Sequence, residues 1–187
     1  MIKRLSAVMA VLTAVLVLSS CGAGNSQLPN EIKSEDGKVR IDTPANWSVS
    51  EAETKDNLVL TIQDDSGAFA QIFWYPAAEG KKFTAKDYAD KALGYYGEDA
   101  KGAAKSIKVG EYEGYYFAYV KQGLDKDGNT YTYQGYEYFL AKKANNDETA
   151  KINVVEVDIF YRYTDTPPTN DQLTLLRSIA ETVQVKE

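Results

Sequence analysis

The chain has 187 residues, 21 basic and 27 acidic, for a formal net charge of −6; it has no histidine and one cysteine, Cys21. The missing histidine excludes Ser-His-Asp and Cys-His catalysis and every histidine-based metal site. The negative, unclustered charge argues against nucleic acid, which selects a basic stripe, and against electrostatic docking on anionic lipid.

The chain opens with Lys3 and Arg4, then runs from Leu5 to Leu18 without a charge. A basic start, an apolar stretch and small residues after it are the marks of a secretory signal peptide. The apolar run is about 14 residues, short of the roughly 20 that a spanning helix needs. Leu18-Ser19-Ser20-Cys21-Gly22 resembles the lipobox of bacterial lipoproteins. The resemblance implies a lipid on the Cys21 sulfur, cleavage just before it, and anchoring on the extracytoplasmic side of the cell membrane. Residues 1–20 are then the signal, and two or more acyl chains hold where one does not. Without Lys3 and Arg4 the basic count falls from 21 to 19 against 27 acids, so the mature charge is −8. With Cys21 lipidated there is no thiol nucleophile and no disulfide, so packing has to stabilise the fold.

Residues 22–38 are polar and Gly-, Asn- and Ser-bearing, the composition of a flexible tether. A single domain of residues 39–187 is expected to follow. Val39 and Ile41 alternate with Arg40 and Asp42, a short strand. Thr43-Pro44-Ala45-Asn46 turns the chain, and Trp47 and Val49 open a second strand. Lys55-Asp56-Asn57 is a polar turn. Leu58, Leu60 and Ile62 recur every second residue. After the turn Asp64–Gly67, Ala68–Tyr75 is apolar on both faces and predicts a strand covered from both sides.

Thr84 and Asp87 have capping-box spacing at the head of a helix. Its stripe is Ala85, Tyr88, Ala89, Ala92, Leu93 and Tyr96. Residues 98–105 are expected as loop. Four strands then form a meander: Ile107–Tyr112, Tyr115–Gln122, Thr130–Ala141 and Ile152–Tyr163. Asp125–Asn129 and Asn145-Asn146-Asp147 are strong turn signals. In the last strand Val155, Val157, Ile159, Tyr161 and Tyr163 share the core face, while Glu156, Asp158, Phe160 and Arg162 share a face expected to be partly wet. After Pro167-Pro168, Thr169 and Gln172 cap a second helix, whose stripe is Leu173, Leu176, Ala180 and Val183, widened by Leu175 and Ile179.

This order, with its Thr43-Pro44-Ala45-Asn46-Trp47 segment and its Leu173–Val185 closing helix, resembles the PsbP-like fold. That fold is shared by an extrinsic photosystem II subunit, a Ran-GTPase-binding import factor and many small bacterial lipoproteins. The resemblance implies an α+β protein, an antiparallel sheet flanked by helices as an α/β/α sandwich, that binds or assists rather than catalyses. Function does not follow from fold alone. The photosystem subunit's metal-binding histidines have no counterpart here.

Three groups are candidates for function. Asp125, Asp127 and Asn129 offer oxygens at alternate positions, as a Ca²⁺ loop does. The EF-hand glycine and glutamate positions hold Thr130 and Tyr136 instead, so a hairpin turn is preferred and no metal is assigned. Eight of the 14 tyrosines fall between Tyr112 and Tyr138. Of these, Tyr115, Phe117 and Tyr119 share one face with Tyr131 and Tyr133 beside them, a candidate partner surface for protein or cell-wall saccharide; ordinary sheet packing explains the same pattern. Adjacent acids such as Asp64-Asp65, Glu98-Asp99 and Glu156/Asp158 are in principle an acid–base pair, though turns and wet sheet faces account for them too. The reading that follows is a monomeric, lipid-anchored, non-enzymatic binding or accessory module without cofactor. The alternative is a carboxylate-dependent cell-surface hydrolase, which a cleft holding two facing acids, one with a strongly raised pKa, would favour.

Overall fold

Alternating strands dominate the protein, and each finds an antiparallel neighbour. The computed structural model describes residues 28–50, 57–76, 83–124, 127–142 and 153–186. Cys21 and the signal segment, Lys55-Asp56, Asp125 and Asn145-Asn146-Asp147 lie outside the described residues. Two sheets form. The small one has the order β1 (Asn30–Lys33), β2 (Val39–Thr43), β10 (Gln184–Val185). The main sheet has seven strands. Its first three in spatial order are β3 (Ser48–Val49), β4 (Leu58–Gln63) and β5 (Ala68–Tyr75), followed by β9 (Val154–Tyr163), β8 (Thr130–Lys142), β7 (Tyr112–Leu124) and β6 (Lys105–Val109). Two α-helices complete the described chain, α1 (Ala85–Tyr96) and α2 (Asn170–Ala180).

Both helices start where their capping boxes sit. Thr84 Oγ1 accepts from the Asp87 amide at 3.2 Å while the Thr84 amide donates to Asp87 Oδ2 at 2.7 Å. Thr169 and Gln172 repeat the arrangement at 3.3 and 2.8 Å. Each pair occupies two of the amide donors a helix leaves open at its head. The two helices then serve opposite faces of the main sheet. Leu176, Ile179, Ala180 and Val183 are buried with Ile62, Ile72, Tyr138, Leu140, Val157 and Ile159. Ala85 and Ala89 are buried instead with Phe117, Tyr119, Phe139 and Val154. Alternate residues of β8 thus belong to different cores, as the period of two requires.

Several expectations change. Of the tether expected over residues 22–38, residues 28–38 belong to the domain. β1 pairs with β2 through Ile32↔Ile41, and Leu28 and Ile32 are only 5% and 7% exposed. Two apolar side chains three residues from a turn were too few to stand out by periodicity. The face that α2 covers carries the small sheet as well, so it is a mixed layer and not a layer of helices. β5 is central in the sheet, yet only Ala68, Ala70 and Ile72 are fully buried; Phe69, Gln71, Phe73 and Tyr75 on its other face are half-buried. The first meander turn falls at Gly110-Glu111, with Gly110 at φ 57°, and not at Glu113-Gly114. Gly114 is a strand residue because a Cβ there would stand 1.9 Å from the Phe139 carbonyl oxygen. Within the expected loop, Gly97–Asp99 forms a 3₁₀ turn and Ala100 bridges to Tyr119.

Candidate functional site

The site lies between α1 and the strands it crosses. Small residues set the approach: Ala85 and Ala89 are buried, letting α1 lie close over β7 and β8. Tyr88 and Tyr96 then reach the sheet. Tyr88 stands 4.9 Å from Tyr75 and 6.3 Å from Phe139, ring centre to ring centre. Tyr96 stands 5.3 Å from Phe117 and 4.8 Å from Tyr119.

Register brings three carboxylates together beside these rings. Glu137 of β8 is directly opposite Asp158 of β9, and Phe139 is opposite Glu156. Glu156 is therefore diagonal to Glu137 on the same face, within reach of a long side chain. Each of the three meets a tyrosine: Tyr119 Oη donates to Asp158 Oδ1 at 2.6 Å, Tyr75 Oη donates to Glu156 Oε2 at 2.8 Å, and Tyr96 is hydrogen-bonded to Glu137. Lys121 is the nearby cation. Its Nζ donates to Tyr96 Oη at 3.1 Å and lies 4.7 and 5.0 Å from the ring centres of Tyr96 and Tyr119.

Burial decides the ionisation. Glu137 is 6% exposed, and its pKa is pushed up to about 9, first by loss of water and then by the charges of Asp158 and Glu156. A hydrogen bond with Tyr96 and the charge of Lys121 act the other way without prevailing. Glu156 is pushed up to about 7, again mainly by burial, against hydrogen bonds from Tyr75 and Glu137. Tyr75, Tyr96 and Tyr119 are held well above the usual phenol range by burial and by these carboxylates, so they remain donors. Glu137 Oε2 has no hydrogen-bond partner among the described residues.

The cluster opens into a hollow of about 340 Å³, bounded by Tyr75, Tyr88 and Tyr95, with Glu137, Glu156 and Asp158 in its lining. Tyr95 at its mouth is 88% exposed. A larger hollow of about 710 Å³ lies near the head of α1, over Tyr115 and Lys142. Its ionisable side chains Lys86, Lys108, Glu113 and Lys142 are all exposed, and Lys86 and Lys142 are paired with Asp90 and Glu111. Size favours that groove; buried chemistry favours the smaller one.

The other candidates separate. Phe117 and Tyr119, each 1% exposed, are core residues beneath α1, so the expected partner surface loses them. Tyr115, Tyr131 and Tyr133 are half-buried. Tyr133 meets Phe160 edge-on at 5.6 Å, Phe160 stacks on Phe69 at 5.6 Å, and the Arg162 guanidinium lies 4.9 Å from both Phe69 and Tyr131. These rings form a separate aromatic patch beyond the hollow. Asp127 and Asn129 are exposed before β8; no group of three or more metal-ligating side chains occurs among the described residues. Glu156 and Asp158, on the face expected to be partly wet, are half-buried and line the hollow. Glu137 was not singled out. The available signal is one acid inside the otherwise apolar run Tyr136–Leu140, with Phe139 next to it on the same face.

Fold and site together define a mixed α+β protein, antiparallel throughout, with a tyrosine-walled carboxylate hollow on one sheet face. It is similar in structure to cyanobacterial PsbP from Synechocystis sp. PCC 6803, at 13% identity and a TM-score of 0.42, over 90% of this chain and 99% of that one. It is also similar to the Ran-binding protein Mog1p of Saccharomyces cerevisiae, at 10% identity and a TM-score of 0.45, over 83% of this chain and 94% of that one. No partner or site residue is carried across from either. No protein-family model matches the chain, and no curated protein matches it.

Proposed function

We propose that the chain is a membrane-anchored extracytoplasmic lipoprotein whose domain binds a partner without catalysis of its own. The anchor rests on Leu18-Ser19-Ser20-Cys21-Gly22 after an apolar leader. No described helix is long and apolar enough to cross a membrane. From Cys21 to Leu28 a fully extended chain reaches about 25 Å, so the domain would work against the membrane surface. Binding rests on one observation: the hollow beneath α1 is lined by the buried Glu137, whose Oε2 has no hydrogen-bond partner among the described residues. Cys21→Ala should move the protein from the membrane fraction to the soluble fraction, and wild-type intact mass should exceed the polypeptide by the lipid. A photo-crosslinker in place of Tyr95, at the mouth, should give a discrete adduct in cells that one in place of the exposed Val49 does not. Wild-type protein without the lipid mass would refute the anchor.

The raised pKa values of Glu137 and Glu156 favour a second reading, a carboxylate-dependent hydrolase. The geometry weighs against it. The three acids rise side by side from one sheet face, whereas a glycosidase pair flanks the bond it breaks. Turnover of chromogenic glycosides or esters that Glu156→Gln abolishes would establish the hydrolase in place of the binding module.

A further inference from the structure

We infer that the hollow beneath α1 is a binding site for a primary alkylammonium group, of the kind a lysyl side chain carries. The inference rests on the binding reading above and supplies the ligand's chemistry. Three carboxylates share one sheet face there and line the hollow, and one of them, Glu137, is more than nine-tenths buried and has a carboxylate oxygen with no partner among the described residues. A group that satisfies it must donate. The walls are tyrosine rings, whose faces attract a cation. The protein already holds an ammonium in this way: Lys121 Nζ lies over the rings of Tyr96 and Tyr119 and donates to a tyrosyl oxygen. A primary ammonium brings three donors, whereas a quaternary one brings none and would leave Glu137 Oε2 unmet. The volume, about 340 Å³, is at the low end of the range for small-ligand sites and suits a side chain more than a large molecule.

The charge balance predicts a proton signature. The groups facing Glu137 are Tyr75 from β5, Tyr96 from α1, Tyr119 and Lys121 from β7, and Glu156 and Asp158 from β9, with Lys91 at the mouth. In the free protein at neutral pH, burial keeps Glu137 protonated. An arriving ammonium favours the carboxylate, so the Glu137 proton leaves to solvent as the ligand enters.

The test is titration calorimetry of the full chain in detergent with Nα-acetyl-lysine methylamide, in two buffers of different ionisation enthalpy. The Nε-acetylated derivative, which is neutral, and CaCl₂ serve as comparisons. The expected result is saturable binding of the ammonium form with proton release, and binding of the neutral form at least tenfold weaker. Glu137→Gln should weaken binding about tenfold and remove most of the proton release. Tyr95→Ala, at an exposed position outside the core, should weaken binding severalfold without changing the melt, which covers the case in which Glu137→Gln misfolds. Equal binding of the neutral form, no ammonium binding at millimolar concentration, or displacement of the amine by stoichiometric Ca²⁺ would each overturn the assignment. Mass spectrometry of the recovered methylamide separates the two readings: cleavage with ammonium-selective binding supports the ligand class and overturns the non-catalytic reading. The Cys21→Ala protein should bind the amine as wild type does, so failure of the anchor is read independently.

Discussion

Glu137 carries an energetic consequence that reaches beyond ligand binding. Its folded-state pKa of about 9 lies above the 4.5 of a solvated glutamate, so between those limits the native state holds a proton that the unfolded chain gives up. More protons bound in the native state means that stability falls as pH rises. Stability should therefore decline as pH rises from about 5 to 9, with Glu156 adding to the decline below about pH 7. Glu137→Gln, neutral at every pH, should flatten this decline and raise the melting temperature at pH 9; an unchanged pH profile in thermal melts would remove Glu137 from the explanation. Gly135 is constrained at the same scale. It lies opposite both Tyr119 and Phe160, and a Cβ there would stand 2.1 Å from the Ile159 carbonyl oxygen. Backbone cannot yield as a side-chain tip does, so Gly135→Ala should cost about 3 kcal/mol in denaturant titration.

Helix α1 matters more as a wall than as a share of the fold. Apart from Leu93 its apolar stripe is made of alanines and tyrosines, so it contributes close approach and aromatic surface and little aliphatic bulk. Its start depends on Thr84, whose hydroxyl accepts from the Asp87 amide. Thr84→Ala should cost about 1 kcal/mol in urea denaturation. The same change should speed amide exchange in the first turn of α1 while leaving α2 unaffected, because the two helices pack on opposite faces. Both helix starts were legible in the sequence, since a capping box is a local chemical fact. The hairpin at Gly110-Glu111 was not. Glu113-Gly114 offered an equal turn signal, and only the contact with β8 explains why Gly114 is drawn into a strand.

At the scale of the molecule, the N-terminal strand ties the start of the domain to its end. β2 pairs with β1 on one side and with β10 on the other, and Tyr112 Oη both donates to the Val185 carbonyl at 2.8 Å and accepts from its amide at 3.1 Å. A chain lacking residues 1–27 should melt as the full chain does. Removing residues 1–38 takes away Leu28 and Ile32, each worth about 2 kcal/mol of burial, and should lower the melting temperature sharply. Equal melts for the two truncations would show that β1 adds nothing to the fold.

The sequence by itself determined most strands of the main sheet, through their period of two, the caps of both helices, and the absence of histidine and thiol chemistry from the domain, while β1 lay hidden in a segment that reads as tether. It placed Glu156 and Asp158 correctly on the face opposite the aliphatic one. What only the tertiary structure decided is that this face is roofed by α1, and that Glu137, about 20 residues away in sequence, stands against both acids. Alternation tells which face a side chain takes, whereas its neighbours depend on strand order and register, and its protonation on what covers it. A carboxylate therefore has no fixed character in the sequence: the same Glu is a solvated charge on an open sheet and a proton-holding acid beneath a helix.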